Sequence, residues 1–224
     1  MYLSVDCLLD NGLLCIKYNF SYSMFLFKHI TPRVIIIGLF LLFAAFSRVF
    51  IARFAPDLAN FSPVGALALF AGAQLGLRWK SFIMPFSFLI LSDILINVWV
   101  FEGQYGIMYD SFYWTYLVVA AIIVLGYFFA SSQKVGGILL SSGLATLVHW
   151  GVLDFIYWVA GGTSISSGLV LSKDMVGLLE AYAQGAPFAK NFAMGTVAYS
   201  LILFGVYALV PSKWKQSESV PVVA

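Results

Sequence analysis

Six apolar runs, separated by short stretches rich in polar residues, glycine or proline, occupy most of this chain: residues 33–52, 62–77, 81–100, 112–130, 135–159 and 187–210. A helix needs roughly 20 mostly apolar residues to cross the hydrocarbon of a bilayer. There it must also satisfy its backbone polar groups internally. The runs are too long and too unbroken to be the roughly ten-residue alternating strands of a membrane barrel. They predict an all-α polytopic membrane protein with six transmembrane helices. Composition agrees: 62% of the 224 residues are hydrophobic and 10% are charged. A soluble domain carries about 25% charged residues. A soluble enzyme, a disordered chain and a nucleic-acid binder are thereby excluded. The net charge of +2 is too small for a surface that tracks phosphates. The expected organisation is an N-terminal extension over residues 1–32, a six-helix membrane domain over 33–211, and a cytoplasmic tail over 212–224.

Lys and Arg set the orientation, because cytoplasmic loops carry an excess of both. With the N-terminus inside, the cytoplasmic set is Lys17, Lys28, Arg33, Arg78, Lys80, Lys134, Lys213 and Lys215. The opposite side holds Arg48, Arg53, Lys173 and Lys190. This predicts that both termini are cytoplasmic, in a bacterial inner membrane. The outer connections, over 53–61, 101–111 and 160–186, are the longer ones, and loops are where function tends to sit. Gly161 and Gly162 predict flexibility in the last of them. Met175, Leu178, Leu179 and Tyr182 then follow at helical spacing, as in a short amphipathic helix at the outer interface. The mixed polar stretch before Met24 lacks the order of a signal peptide and is read as a dispensable extension or a misassigned start, with Met1 and Met24 both open as the first residue. Cys7 and Cys15 suggest neither a disulfide frame nor a zinc site.

Ionisable and amide side chains inside spans are costly, so each is a candidate site residue. Asp93 falls just past the midplane, at about 1.5 Å per residue along the third run. Asn97 is one turn above it on the same face. Arg48, His149, Asp154 and Asn191 fall in the same outer half, while Gln74 falls in the inner one. This shared depth suggests a wet pocket opening outward. Arg48 either snorkels to the interface or pairs with Asp93 or Asp154. His149 shares a face with Ser142 and Ala145, which also suits helix packing. Trp99, Phe101, Tyr105, Tyr109, Phe112, Tyr113, Trp114 and Tyr116 flank the second outer connection, with Tyr157 and Trp158 at the same level. They read as an interfacial belt or as an aromatic wall for a planar ligand. HExxH, GxSxG, P-loop and CxxC motifs are all missing, so no enzyme, cofactor or metal site is expected. A chain without an ATP site cannot energise transport alone.

The block Asn60-Phe61-Ser62-Pro63-Val64-Gly65-Ala66-Leu67-Ala68-Leu69-Phe70-Ala71-Gly72-Ala73 resembles a bacterial membrane family, DUF6580. So do Leu91-Ser92-Asp93, His149-Trp150-Gly151-Val152 and Gly177-Leu178-Leu179-Glu180-Ala181-Tyr182, followed by Pro187-Phe188 and Asn191. The resemblance spans about residues 33–207. Members of that family look like the substrate-binding S components of energy-coupling-factor (ECF) vitamin transporters. That resemblance implies a six-helix bundle with cytoplasmic termini and an outward pocket capped by the first, third and fifth connections. It also implies docking to a coupling subunit through small residues of the first helix. Here Gly38, Ala44, Ala45 and Ala52 are small, without a strict AxxxA pair. The chain departs from the pattern at His149, where Asn is expected, and at Thr196, where an acid is expected. Some cobalamin-binding relatives of S components ligate cobalt through a cysteine, and this chain has none beyond Cys15.

The expectation is a membrane subunit that captures a small, vitamin-like molecule from the outer side, cobalamin being one candidate. Its partners would be membrane lipid, a coupling subunit and ATPases, with no nucleic acid. Asn60 and Ser62 would shape the first connection. Asp93, Asn97, His149, Asp154 and Asn191 would supply polar contacts, and Trp99 and Trp158 apolar walls. The stretch from Met175 to Tyr182 would be the lid. The rival expectations are a membrane enzyme acting on a lipid or isoprenoid, and a non-catalytic assembly subunit.

Overall fold

The computed structural model describes residues 32–104, 106–109, 112–132 and 134–209, with side chains from residue 42 onward. The N-terminal extension before Pro32 and the C-terminal tail lie outside the described residues. The chain divides into two units, residues 1–40 and 41–224. The second holds the helical bundle and the site. Six α-helices form among the described residues: α1 Pro32–Phe54, α2 Val64–Leu75, α3 Trp79–Trp99, α4 Phe112–Leu125, α5 Val135–Val159 and α6 Met175–Leu209. A π-helical turn, Gly126–Ala130, extends α4, and a 3-10 turn, Pro56–Leu58, follows α1. The only β-type pairing among the described residues is an isolated bridge between Thr163 and Val170.

Among the described residues, four helical stretches are long and apolar enough to cross a membrane: Trp79–Trp99, Phe112–Ala130, Val135–Val159 and Met175–Leu209. They coincide with the third to sixth expected runs, and they identify a membrane protein. The second run folds differently from expectation. It is a 12-residue helix, about 18 Å long, short of a roughly 30 Å hydrocarbon crossing. The reason lies in the residues before it. Pro63 sits at the N-cap of α2, and Asn60 adopts a left-handed backbone, φ 70°, so the helix cannot extend backwards. The connection instead folds as successive turns, in which the Leu58, Ala59 and Phe61 amides donate to the Ala55, Pro56 and Leu58 carbonyls at 2.8–2.9 Å.

Short as it is, α2 is the centre of the bundle. It packs on α3, α4, α5 and α6, and Ala66, Leu67, Ala68, Leu69 and Ala71 are buried. Glycine makes this possible. A Cβ on Gly72 would lie 1.9 Å from the Ile123 carbonyl oxygen, and one on Gly126 2.2 Å from that of Leu69. The two helices therefore cross backbone to backbone, as small residues allow inside a membrane. At the far end of α2, Phe70 meets Phe204 and Tyr207 of α6 edge-on, with ring centroids 5.2 and 5.4 Å apart.

The sixth run also departs from expectation. The stretch from Met175 to Tyr182 is no separate interfacial helix; it is the opening of a single 35-residue helix that runs through Pro187. A proline removes one backbone hydrogen bond, which a membrane helix tolerates when neighbours support it. One turn before the proline, α6 is held to α5, which runs antiparallel alongside. Trp150 Nε1 donates to the Tyr182 carbonyl at 3.3 Å, and the Tyr182 hydroxyl donates to the Gly151 carbonyl at 2.9 Å.

The α5–α6 connection, expected to be flexible, is hydrogen-bonded throughout. The Ser164 amide donates to Leu169, the Gly168 amide to Ser164 and the Leu171 amide to Gly162, at 2.8–2.9 Å. Trp158 Nε1 donates to the Ser172 carbonyl at 2.8 Å, and the Tyr157 hydroxyl to the Thr163 carbonyl at 3.0 Å.

Candidate functional site

A cavity of about 380 Å³ opens between the last turns of α1, the connection from Ala59 to Ser62, the end of α3, and the connection that follows it. Its polar lining is Arg48, Asn60, Ser62, Asp93, Asn97 and Tyr109. Its apolar lining is Ile51, Ala52, Ala59, Phe61, Ile96 and Phe101. A mostly apolar hollow with a few convergent polar groups is the usual form of a small-molecule site.

The floor of the cavity is an ion pair. Arg48 Nη1 donates to Asp93 Oδ1 and to Ser92 Oγ at 2.6 Å. Tyr116 on α4 donates its hydroxyl to the other carboxylate oxygen, Asp93 Oδ2, at 3.3 Å. The four groups come from three helices. A helix face with a 3.6-residue period carries Asp93 and Asn97 one turn apart, which is why both line one wall. The Asp93 side chain is 2% exposed and that of Arg48 22%. Asp93 is thus enclosed by its partners, while the guanidinium reaches the cavity.

Two connections roof the cavity, and each is tied down by an asparagine. Asn97 Nδ2 donates to the Ile107 carbonyl at 3.3 Å, and its own carbonyl accepts the Gly103 amide at 2.8 Å. Asn191 Nδ2, from α6, donates to the Asp57 carbonyl at 2.8 Å and the Ala59 carbonyl at 3.0 Å. Both asparagines are buried, a buried amide needs partners, and the carbonyls of the two connections supply them. Gly195 completes the seat, since a Cβ there would lie 2.8 Å from the Ser62 amide nitrogen. Tyr109, in the roof, has its phenol pushed above its ordinary value by burial first and then by the Asp93 charge, with Thr115 and Arg48 opposing.

Of the residues singled out from the sequence, Asn60, Ser62, Asp93 and Asn97 line this cavity. Asn191 stands behind it and holds its roof. Trp99 is exposed and stacks on Phe46, with centroids 6.5 Å apart. His149 stacks on Phe192 at 4.0 Å with the rings 15° from parallel, a packing contact between α5 and α6. Asp154 lies against α6, where a Cβ on Gly185 would be 1.7 Å from Asp154 Oδ2. Trp158 holds the α5–α6 connection, with Lys173 Nζ 5.3 Å from its ring centroid. Neither these four nor the stretch from Met175 to Tyr182 reaches the cavity. Depth along a helix places residues in one layer, but not on one side of it.

Sequence reasoning left Arg48 between two alternatives, and the structure pairs it with Asp93. It did not single out Ile51 or Ile96, which are ordinary apolar residues of a span, and it weighed Ala52 only as a small residue for docking a partner. Nor did it find the bond from Tyr116 to Asp93, which depends on how α4 is rotated. Among the described residues no group of three or more His, Cys, Asp or Glu side chains is placed to hold a metal ion.

No curated protein and no solved structure matches this chain. A family model described as "Family of unknown function (DUF6580)" matches residues 28–219. That match takes in every helix described above, together with the cavity and both connections that roof it: the chain belongs to the DUF6580 family.

Proposed function

We propose that this protein is a membrane-embedded binding subunit that holds a small molecule in the cavity between α1 and α3. The observation that carries the reading is the cavity itself. Its walls are apolar, an ion pair forms its floor, and asparagines fix its roof. The groups around it are positioned by several helices at once, as a binding site requires. The finer reading is a multi-pass subunit of the bacterial inner membrane, built like an ECF S component. It would take up a vitamin-like molecule from the outer side and depend on a coupling subunit and ATPases for energy. The six-helix order supports this, and so does the placement of the cavity under the first and third connections. We read the protein as non-catalytic: the polar groups at the floor and roof of the cavity are engaged in holding its own walls.

The test is mass spectrometry of small molecules that co-purify with the full chain in detergent, beside an Ala52→Phe variant. That variant puts an aromatic ring into the cavity and changes neither member of the ion pair. A stoichiometric compound present in wild type and lost in the variant is the expected result. A compound retained at equal stoichiometry in the variant would place binding elsewhere.

A second reading has its own support. His149 on Phe192 and the reciprocal Trp150–Tyr182 bonds are polar groups used up in joining α5 to α6. They suit an assembly subunit whose buried polar residues join helices. Unchanged composition of co-purified molecules together with a stable stoichiometric protein partner would favour it.

A further inference from the structure

We infer that the ligand carries a single carboxylate, which docks on Arg48, and that Asp93 is a positioning residue and not a ligand contact. This rests on the binding reading above. Both Asp93 oxygens are already engaged, one by Arg48 and one by the Tyr116 hydroxyl, and the side chain is 2% exposed. At that burial, with a partner on each oxygen, it lacks the access to meet a ligand first.

Arg48 is in the opposite situation. A guanidinium has five N–H donors in a planar fork. Here Nη1 serves both Asp93 and Ser92, and the group is partly exposed where it faces the cavity. The remaining edge can present two parallel N–H groups, the arrangement that carboxylates accept bidentately. Asp93 holds the guanidinium still and neutralises part of its charge. A monoanion therefore suits the site better than a dianionic phosphate, since among the described residues Arg48 is the one cation of the lining and Asp93 already offsets its charge. The rest of the lining is chiefly Ile51, Ile96, Phe61 and Phe101, so the body of the ligand is apolar or aromatic.

The test uses the full chain in lipid nanodiscs and a matched pair of probes, 4-phenylbutyrate and its uncharged amide, titrated by calorimetry. Wild type is expected to bind the acid at least ten-fold more tightly than the amide. Arg48→Gln should abolish that preference, and Arg48→Lys, which keeps the charge and loses the fork, should reduce it. Asp93→Asn removes the competing charge and keeps an acceptor for Arg48, so acid binding should be retained or tightened. Loss of binding in Asp93→Asn with no change in Arg48→Gln would overturn the assignment. Should Arg48→Gln fail to fold, the double variant Arg48→Gln/Asp93→Asn removes both charges and must still show no preference for the acid. Equal binding of acid and amide by wild type overturns the carboxylate inference and leaves the cavity reading standing. Failure of both probes, with wild type and Ala52→Phe indistinguishable, overturns the cavity reading itself.

Discussion

Arg48 and Asp93 illustrate what a single buried charge requires. Removing one member of such a pair leaves the other unsatisfied, at a cost of about 3–5 kcal/mol. Arg48→Ala should therefore destabilise the protein by that order, read as a lowered unfolding midpoint in detergent. The double variant Arg48→Gln/Asp93→Asn should recover most of the loss, because no net charge remains buried. His149 gives the contrasting case. Its ring stacks on Phe192, so His149→Phe keeps the shape of the contact. The larger phenyl ring overpacks the contact slightly, at a cost of about 1–3 kcal/mol, and ligand occupancy should not change. A loss of occupancy in His149→Phe would bring that histidine back into the site.

The crossing of α2 and α4 depends on two hydrogens where other residues carry a side chain. With a Cβ on Gly72 only 1.9 Å from a backbone carbonyl, the neighbour cannot step aside by rotating a side chain. Gly72→Ala should force the helices apart and cost about 1–3 kcal/mol or more, measured by thermal unfolding. Gly143, with open space around it, should accept alanine without loss. The start of α6 is set by Asp174, whose carboxylate accepts the Gly177 amide at 2.9 Å and the Ser172 hydroxyl at 2.6 Å. The Gly177 amide, then the Ser172 hydroxyl, hold that carboxyl below its ordinary value. A depressed folded value contributes stability that is fully present above the ordinary carboxylate range. The contribution is lost as pH falls through the folded value. Hydrogen exchange at the Gly177 amide should be slower in wild type than in Asp174→Ala near neutrality, and the two should converge in acid below the ordinary carboxylate value.

At the scale of the whole molecule, the bundle is built around a helix too short to span the membrane. The space left beside α2 is taken by the connection from α1, and the cavity forms under it. Orientation is a separate property, argued from Lys and Arg alone. In a Cys7→Ser/Cys15→Ser background, a cysteine at Ser167, in the α5–α6 connection, should react with a membrane-impermeant maleimide on intact cells. A cysteine at Ser131, after α4, should react only once the membrane is opened. The reverse pattern would invert the assigned topology. The same pair of positions also tests whether α5 crosses the bilayer, since it separates them.

Apolar runs and their breaks were enough to determine the helical class, the membrane environment and the limits of α3, α4 and α5, because hydrophobic length and backbone satisfaction are local properties. The same local signals located Asp93 and Asn97 as costly residues in the outer half of one span; the block from Asn60 to Ala73 was marked by its resemblance to the family. The fusion of the stretch from Met175 to Tyr182 into α6 and the choice of Asp93 over Asp154 as partner of Arg48 were decided by tertiary structure. Each depends on which faces meet. Helix rotation, close approach at Gly72 and Gly126, and the bonds of Trp150 and Tyr182 that hold α6 to α5 one turn before Pro187 are relations between segments distant in the chain. A linear pattern records that a polar group is buried; only the packed bundle decides what it is buried against.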